Sequence, residues 1–130
     1  MSDQGTADEF AKRFAEYWSR PTVAGLKGLL RDDVRLVAPL TPTTEGLEDG
    51  GQTIAGLLEL IPDLTAQVHR WGPHPEGCFI EFTLRGTLNG EPVAWRAVDS
   101  FLLDADGMAS ERVSFFDPTP LLAQAGGAAV

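Results

Sequence analysis

The dipeptide Asn89-Gly90 stands between two runs of residues in which apolar and polar side chains alternate. Residues 78–87 form the first run, and the second includes residues 95–101. Asn and Gly both tolerate the positive φ of a two-residue hairpin turn, and alternation of period two indicates strands. A further turn at 104–107 leads into residues 108–116. The sequence therefore predicts a meander of long antiparallel strands.

Asp99 lies on the face of the second run that also carries Trp95, Ala97 and Phe101. A carboxyl group among apolar side chains is expensive to ionise away from water. It must therefore be paired, held neutral with a raised pKa, or used in function. This pattern predicts an apolar pocket that contains one acid.

Apolar spacing of three and four residues precedes the strands and indicates helices. In chain order the sequence predicts a helix from Ala7 to Trp18, a short helical stretch at 23–30, an extended run at 34–38, a polar loop at 39–51, a third helix at 54–61 and a strand at 64–71. Helices followed by a meander indicate an α+β fold. We expect a cone-shaped, curved antiparallel sheet packed against three N-terminal helices and enclosing an apolar pocket.

Composition narrows the possible partners. The 130 residues fit a single domain spanning 1–130, and the net charge of −9 with only two lysines argues against nucleic acid. No apolar run approaches the roughly 20 residues that cross a bilayer, and the first residues lack a secretory signal, so no membrane contact and a cytoplasmic location are expected. A single cysteine and two histidines predict no internal disulfide and no metal site. No cofactor is expected.

The inward rows of the predicted sheet include Phe82, Leu84, Trp95, Phe101 and Phe116, so the space under the helices is expected to be apolar. Gly86 and Ala97 lie on the same rows. Their small size is compatible with a cavity and also with tight packing.

Several stretches of the chain resemble the nuclear transport factor 2-like superfamily, which includes ketosteroid isomerase, SnoaL-like polyketide cyclases and limonene-epoxide hydrolase. The resemblance rests on residues 30–39, Gly46, residues 98–107 and residues 114–118, within a core of about 8–123. It implies the cone fold and a homodimer formed through the outer sheet face. That face is expected to include Val98, Leu102, Val113 and Phe115.

Residue by residue, the resemblance to ketosteroid isomerase is partial. Asp99 matches the sheet aspartate of that family, whose protonated form polarises a ketone. The helix tyrosine position reads Phe14 and the proton-shuttling position before Pro39 reads Ala38, so isomerase activity of that type is not expected. Tyr17, one turn beyond Phe14, is a candidate substitute donor.

Two other branches are matched no better. The epoxide hydrolases place an acid on the last strand where this chain has Ser114. The cyclases pair a histidine with an aspartate, which would require His69 or His74 to approach Asp99 or Asp117. His69 is expected on the polar face of its strand.

Two functions from different classes remain open. The chain is either an isomerase or cyclase acting on a hydrophobic carbonyl compound, with neutral Asp99 as hydrogen-bond donor and Tyr17 or Ser114 assisting, or a non-catalytic binder of a small apolar ligand or dimeric interaction module. Structural roles compete: Asp99 could be a buried acid bonded to Tyr17 or Ser114, and Asp117 is interpreted as a helix cap. The predicted ligand-contacting residues are Phe14, Trp18, Ala38, Leu58, Phe82, Leu84, Trp95, Phe101, Ser114 and Phe116.

Overall fold

The computed structural model describes the backbone of residues 3–126 and the side chains of residues 5–124. Residues 1–2 and 127–130 lie outside the described residues. The first two belong to the N-terminal segment that was expected to lack a secretory signal. No helix in the described range is long and apolar enough to span a membrane.

A six-stranded sheet forms one layer, and helices cover its inner face. The elements in chain order are α1 (Asp3–Ser19), a short 3₁₀ helix (Ala24–Gly28), β1 (Leu30–Ala38), β2 (Thr41–Glu45), α2 (Leu47–Leu60), β3 (Thr65–His74), β4 (Gly77–Leu88), β5 (Glu91–Leu103), β6 (Ala109–Phe116) and α3 (Thr119–Gly126). This confirms the predicted α+β class, with helices preceding a long meander.

The order of strands in the sheet is β2-β1-β6-β5-β4-β3, and β1 runs parallel to β6. The sheet is therefore mixed, and the predicted antiparallel arrangement does not extend to the β1–β6 pair. Neighbouring strands of the meander do pair antiparallel as predicted. The pairing of β1 with β6 joins segments separated by most of the chain, and no local turn residue signals it.

The segment predicted as a polar loop, 39–51, contains β2 and the start of α2. Strand β2 pairs with β1 at the edge of the sheet, and most of its residues are exposed. An exposed edge strand needs no alternating apolar residues, so periodicity could not reveal it. Strand β1 also begins earlier than predicted, at Leu30.

Both predicted turns of the meander are present. Asn89 and Gly90 have φ of 55° and 79°, and Gly107 in the following turn has φ of 79°. Asp117 accepts a hydrogen bond from the backbone N–H of Thr119 at 3.0 Å, which confirms its capping role at α3.

Aromatic side chains hold α1 on the sheet. The ring of Phe14 lies 5.0 Å from that of Phe82 and 5.6 Å from that of Phe101. Phe10 also contacts Phe101, with ring centroids 4.7 Å apart. These packed rings fill much of this end of the cone, and the larger open space lies towards α2.

Gly86 does not leave the room that its size suggested. A Cβ built on Gly86 would overlap Cγ2 of Ile61, which is fully buried at the end of α2. Ile61 therefore fills the space, whereas Ala97 borders a cavity.

Candidate functional site

A cavity of about 320 Å³ lies between the inner face of the sheet and α2. Side chains from β4, β5 and β6 form its floor, α2 forms one wall, and the β1–β2 turn and α3 contribute to its rim. A smaller cavity of about 60 Å³ adjoins it towards α1. Asp99, Arg112 and Trp18 border both cavities and therefore lie where the two meet.

Asp99 points inward as predicted and is 4% exposed. The alternation along β5 places it between the buried residues Ala97 and Phe101. Its Oδ1 atom is buried and has no hydrogen-bond partner among the described residues. Burial of this kind is tolerated where the carboxyl has a functional role or can take up a proton.

The environment of Asp99 raises its pKa from 3.8 to about 6. Removal from water is the largest cause, and the charge of Arg112 and hydrogen bonding from Ser114 oppose it. Ser114 lies directly across from Asp99 in the β5–β6 register. The ionised carboxylate is therefore the major form of Asp99 at pH 7, and the neutral carboxyl predicted from the sequence is the minor form.

Arg112 was not singled out from the sequence. It lies on β6, two residues before Ser114, between Leu36 of β1 and Phe101 of β5. Its Nε atom is buried without a partner among the described residues, and one terminal nitrogen donates to the Val37 carbonyl at 3.5 Å. The signal was present, because Arg112 shares the inward row of Ser114 and Phe116.

Most of the predicted ligand-contacting residues border the cavities. Phe14 and Phe101 line the smaller cavity, and Trp18 lines both. The larger cavity is lined by Ala38, Phe82, Leu84, Trp95, Ser114 and Phe116. Leu58 lines neither cavity and packs on the core instead; Ile54 and Leu57, on the adjacent side of α2, take that place.

Tyr17 lines the smaller cavity, but its hydroxyl group donates to the backbone carbonyl of Thr22 at 2.7 Å. Burial raises its pKa to about 12, so the phenol stays protonated. The hydroxyl proton of Tyr17 is therefore already used in the hydrogen bond to Thr22 and is not free for a ligand.

Neither histidine lies at the site. His69 Nε2 is 2.6 Å from Thr83 Oγ1 on the opposite face of the sheet, as its strand position predicted. His74 packs against Phe79, with ring centroids 4.7 Å apart. Among the described residues, no group of three or more His, Cys, Asp or Glu side chains is positioned to hold a metal ion.

The arrangement combines an apolar chamber with one acid and one guanidinium. Among its described lining residues, Asp99 is the only carboxyl group and Arg112 the only cation. A carboxyl with a pKa near neutrality can accept and return a proton. A guanidinium N–H in an apolar surrounding can stabilise an oxygen on which negative charge develops.

A curved sheet closed by helices over a pocket with an inward acid defines a protein of the nuclear transport factor 2-like superfamily. Residues 11–112 match the sequence profile of the SnoaL-like domain. The chain belongs to that family. Comparison with curated proteins gives no significant match.

Solved structures share the fold at low sequence identity. A candidate SnoaL-like polyketide cyclase from Jannaschia sp. CCS1 is 20% identical over 92% of this chain and 91% of its own, with a TM-score of 0.80. AclR, a candidate hydroxylase from Streptomyces galilaeus, is 19% identical over 95% and 82%, with a TM-score of 0.78. A protein with a ketosteroid isomerase-like fold from Catenulispora acidiphila, solved with trimethylamine, is 18% identical over 91% and 92%, with a TM-score of 0.80.

Proposed function

We propose that this chain is an enzyme of the isomerase or cyclase kind that acts on a small hydrophobic carbonyl compound. The observation that carries the proposal is the pair of unpartnered polar atoms, Asp99 Oδ1 and Arg112 Nε, in an otherwise largely apolar chamber of about 320 Å³. Similarity to a candidate polyketide cyclase supports the same class of chemistry.

The Asp99 carboxylate removes a proton from the carbon next to the carbonyl group of the ligand. The electron pair of the broken C–H bond forms a carbon–carbon double bond, and the carbonyl π pair moves to oxygen. Arg112 Nε–H donates a hydrogen bond to that oxygen. The Ser114 hydroxyl donates a hydrogen bond to the Asp99 carboxylate and orients it.

Two outcomes complete the proton balance. In an isomerisation, the Asp99 carboxylic acid returns the proton to a different carbon of the same ligand. In a cyclisation, the enolate carbon attacks a second carbonyl group, and the new alkoxide takes the proton from Asp99. Phe14 and Ala38 replace two parts of the steroid isomerase site, so Asp99 serves as both base and acid.

Exchange of carbon-bound hydrogen tests the first step without knowledge of the natural substrate. Purified protein is added to 2-tetralone in D₂O, and deuterium incorporation next to the carbonyl group is followed by NMR. We expect acceleration by the unmodified protein and a loss of about a hundredfold or more for Asp99→Asn. Asp106→Asn, in an exposed turn, is the matched control and should leave the rate unchanged.

The alternative is a non-catalytic binder of an apolar ligand. It is favoured by the absence of a second carboxyl group or a histidine among the described lining residues. If 2-tetralone raises the melting temperature but no exchange is accelerated, the chain is a binder and the proposed chemistry is wrong.

The homodimer is proposed to form through the outer face of the sheet. Phe79 and Phe115 are 47% and 57% exposed there, Val98 pairs with Phe115, and Val113 lies two residues before Phe115 on β6. Large apolar side chains on one face favour association. Phe115→Glu should convert a dimer to a monomer in sedimentation analysis, whereas Leu122→Ala on α3 should not. A monomeric unmodified protein would refute the dimer.

The cytoplasmic location stays a prediction.

A further inference from the structure

Leu40 has a backbone conformation that leucine rarely adopts. Pro39 and Leu40 form the two-residue connection between Ala38 of β1 and Thr41 of β2, and Leu40 has φ of 76°. A positive φ after proline matches the third position of a type II turn, which glycine or asparagine normally occupies. Among the described non-glycine residues, Asn89 is the other one with positive φ, and asparagine tolerates it.

Core packing does not account for this conformation. Leu40 is 56% exposed, so its side chain gains little from burial within the chain. A glycine would relieve the steric conflict between Cβ and the backbone. Strained residues of this kind persist where the side chain has a role that a better-suited residue could not fill.

The side chain of Leu40 lines the larger cavity. So does Leu60 at the end of α2, which is 53% exposed. Two leucines that both line a cavity and remain more than half exposed mark the place where it meets solvent. Leu121 of α3 completes the apolar rim.

We propose that Leu40 is a specificity-determining residue at the cavity mouth, which covers the apolar part of a bound ligand and slows its release. This inference rests on the proposed function, because it requires a ligand in the cavity that contains Asp99. The ligand class it selects is a compound whose apolar end projects towards the mouth while its polar group lies at Asp99 and Arg112.

The test compares binding and stability in the same variants. The probe is 1-anilinonaphthalene-8-sulfonate, whose aromatic body suits the chamber and whose anion suits Arg112, and 2-tetralone serves as its competitor. For Leu40→Gly and Leu40→Asn we expect a probe dissociation constant raised about fivefold or more, mainly through faster dissociation. The urea midpoint of these variants should be equal to or above that of the unmodified protein, because the turn is relieved.

Two control variants test whether the loss of affinity comes from the apolar side chain at the cavity mouth. Leu40→Met keeps an apolar side chain and should keep the affinity within about twofold. Leu122→Ala removes a leucine of similar exposure, 54%, from α3 outside the cavities and should change nothing.

Unchanged probe affinity in Leu40→Gly, with binding by the unmodified protein intact, overturns this inference and leaves the proposed function standing. A lower urea midpoint in both turn variants also overturns it, because Leu40 would then serve the fold. If the unmodified protein neither binds the probe nor accelerates exchange in 2-tetralone, both proposals fail.

Discussion

Asp99 and Arg112 face the same cavities from neighbouring strands, and each keeps one buried polar atom without a hydrogen-bond partner among the described residues. The two residues are offset by one step along the inward rows, because Asp99 pairs with Ser114 and Arg112 with Phe101. No ion pair joins them within 4.0 Å in the described range. Each group is therefore available to a ligand, and the positive charge of Arg112 lowers the pKa of Asp99 and so opposes the larger rise caused by burial.

Asp99→Asn should stabilise the protein at neutral pH. Folding raises the pKa of Asp99 from 3.8 to about 6, so the native state binds a proton between these values that the unfolded state releases. Stability from this group is fully present below about pH 4 and is lost as pH rises through 6. The gain of Asp99→Asn should grow from near zero at pH 4 to at most about 3 kcal/mol at pH 7, measured by urea unfolding.

Asp63 and Asp117 have lowered pKa values because of hydrogen bonds from Thr87 and Thr119, so their contribution is lost as pH falls. The unmodified protein and the Asp99→Asn variant both retain Asp63 and Asp117. Their loss of stability at low pH therefore cancels when the two free energies of unfolding are subtracted. A stability difference that does not vary with pH would contradict the proposed state of Asp99.

The exchange reaction should depend on Arg112 in two separable ways. Arg112→Met removes the Nε–H that stabilises the developing negative charge on oxygen, so the rate should fall about a hundredfold. It also removes the charge that lowers the pKa of Asp99, so the pH profile of the rate should move above 6. Arg112→Lys keeps the charge but lacks Nε–H, so the rate should fall while the profile stays. Arg96→Met, on the outer face where Arg96 pairs with Glu81 at 3.4 Å, is the control. An unshifted profile in Arg112→Met would show that the two groups do not interact.

The meander and the inward direction of Asp99 were predictable because both depend on local order. Alternation along β4 and β5 fixes which side chains share a face, and Asn89 with Gly90 fixes the turn between them. The same rule places Arg112 beside Ser114, but an arginine on an otherwise apolar row is more readily assigned to the surface.

The remaining features depend on contacts between distant parts of the chain. The parallel pairing of β1 with β6 and the filling of Gly86 by Ile61 need the assembled fold. From the sequence alone, the hydroxyl of Tyr17 could point either into the pocket or towards the backbone that follows α1. Only the course of the chain after α1 brings the carbonyl of Thr22 within its reach.

Tyr17→Phe should separate stability from chemistry. The hydroxyl donates to Thr22 at 2.7 Å, so its removal should lower the free energy of unfolding by about 1 kcal/mol. The exchange rate in 2-tetralone should stay within about twofold, because the proton of this phenol is held by Thr22. A rate loss of tenfold or more would assign Tyr17 to the reaction, as the sequence first suggested.

Gly86→Ala tests whether Ile61 fills the space beside Gly86 on β4. A Cβ at Gly86 would overlap Cγ2 of Ile61 and come within 3.2 Å of Asp63 Oδ1, so the variant should lose about 1–3 kcal/mol of stability in urea unfolding. Gly72→Ala is the matched control, because a Cβ there meets nothing within 4 Å and the residue also lies in a strand. The double variant Gly86→Ala with Ile61→Ala should be less destabilised than the sum of the single changes, because each relieves the other. Additive losses would show that Ile61 does not occupy the space beside Gly86.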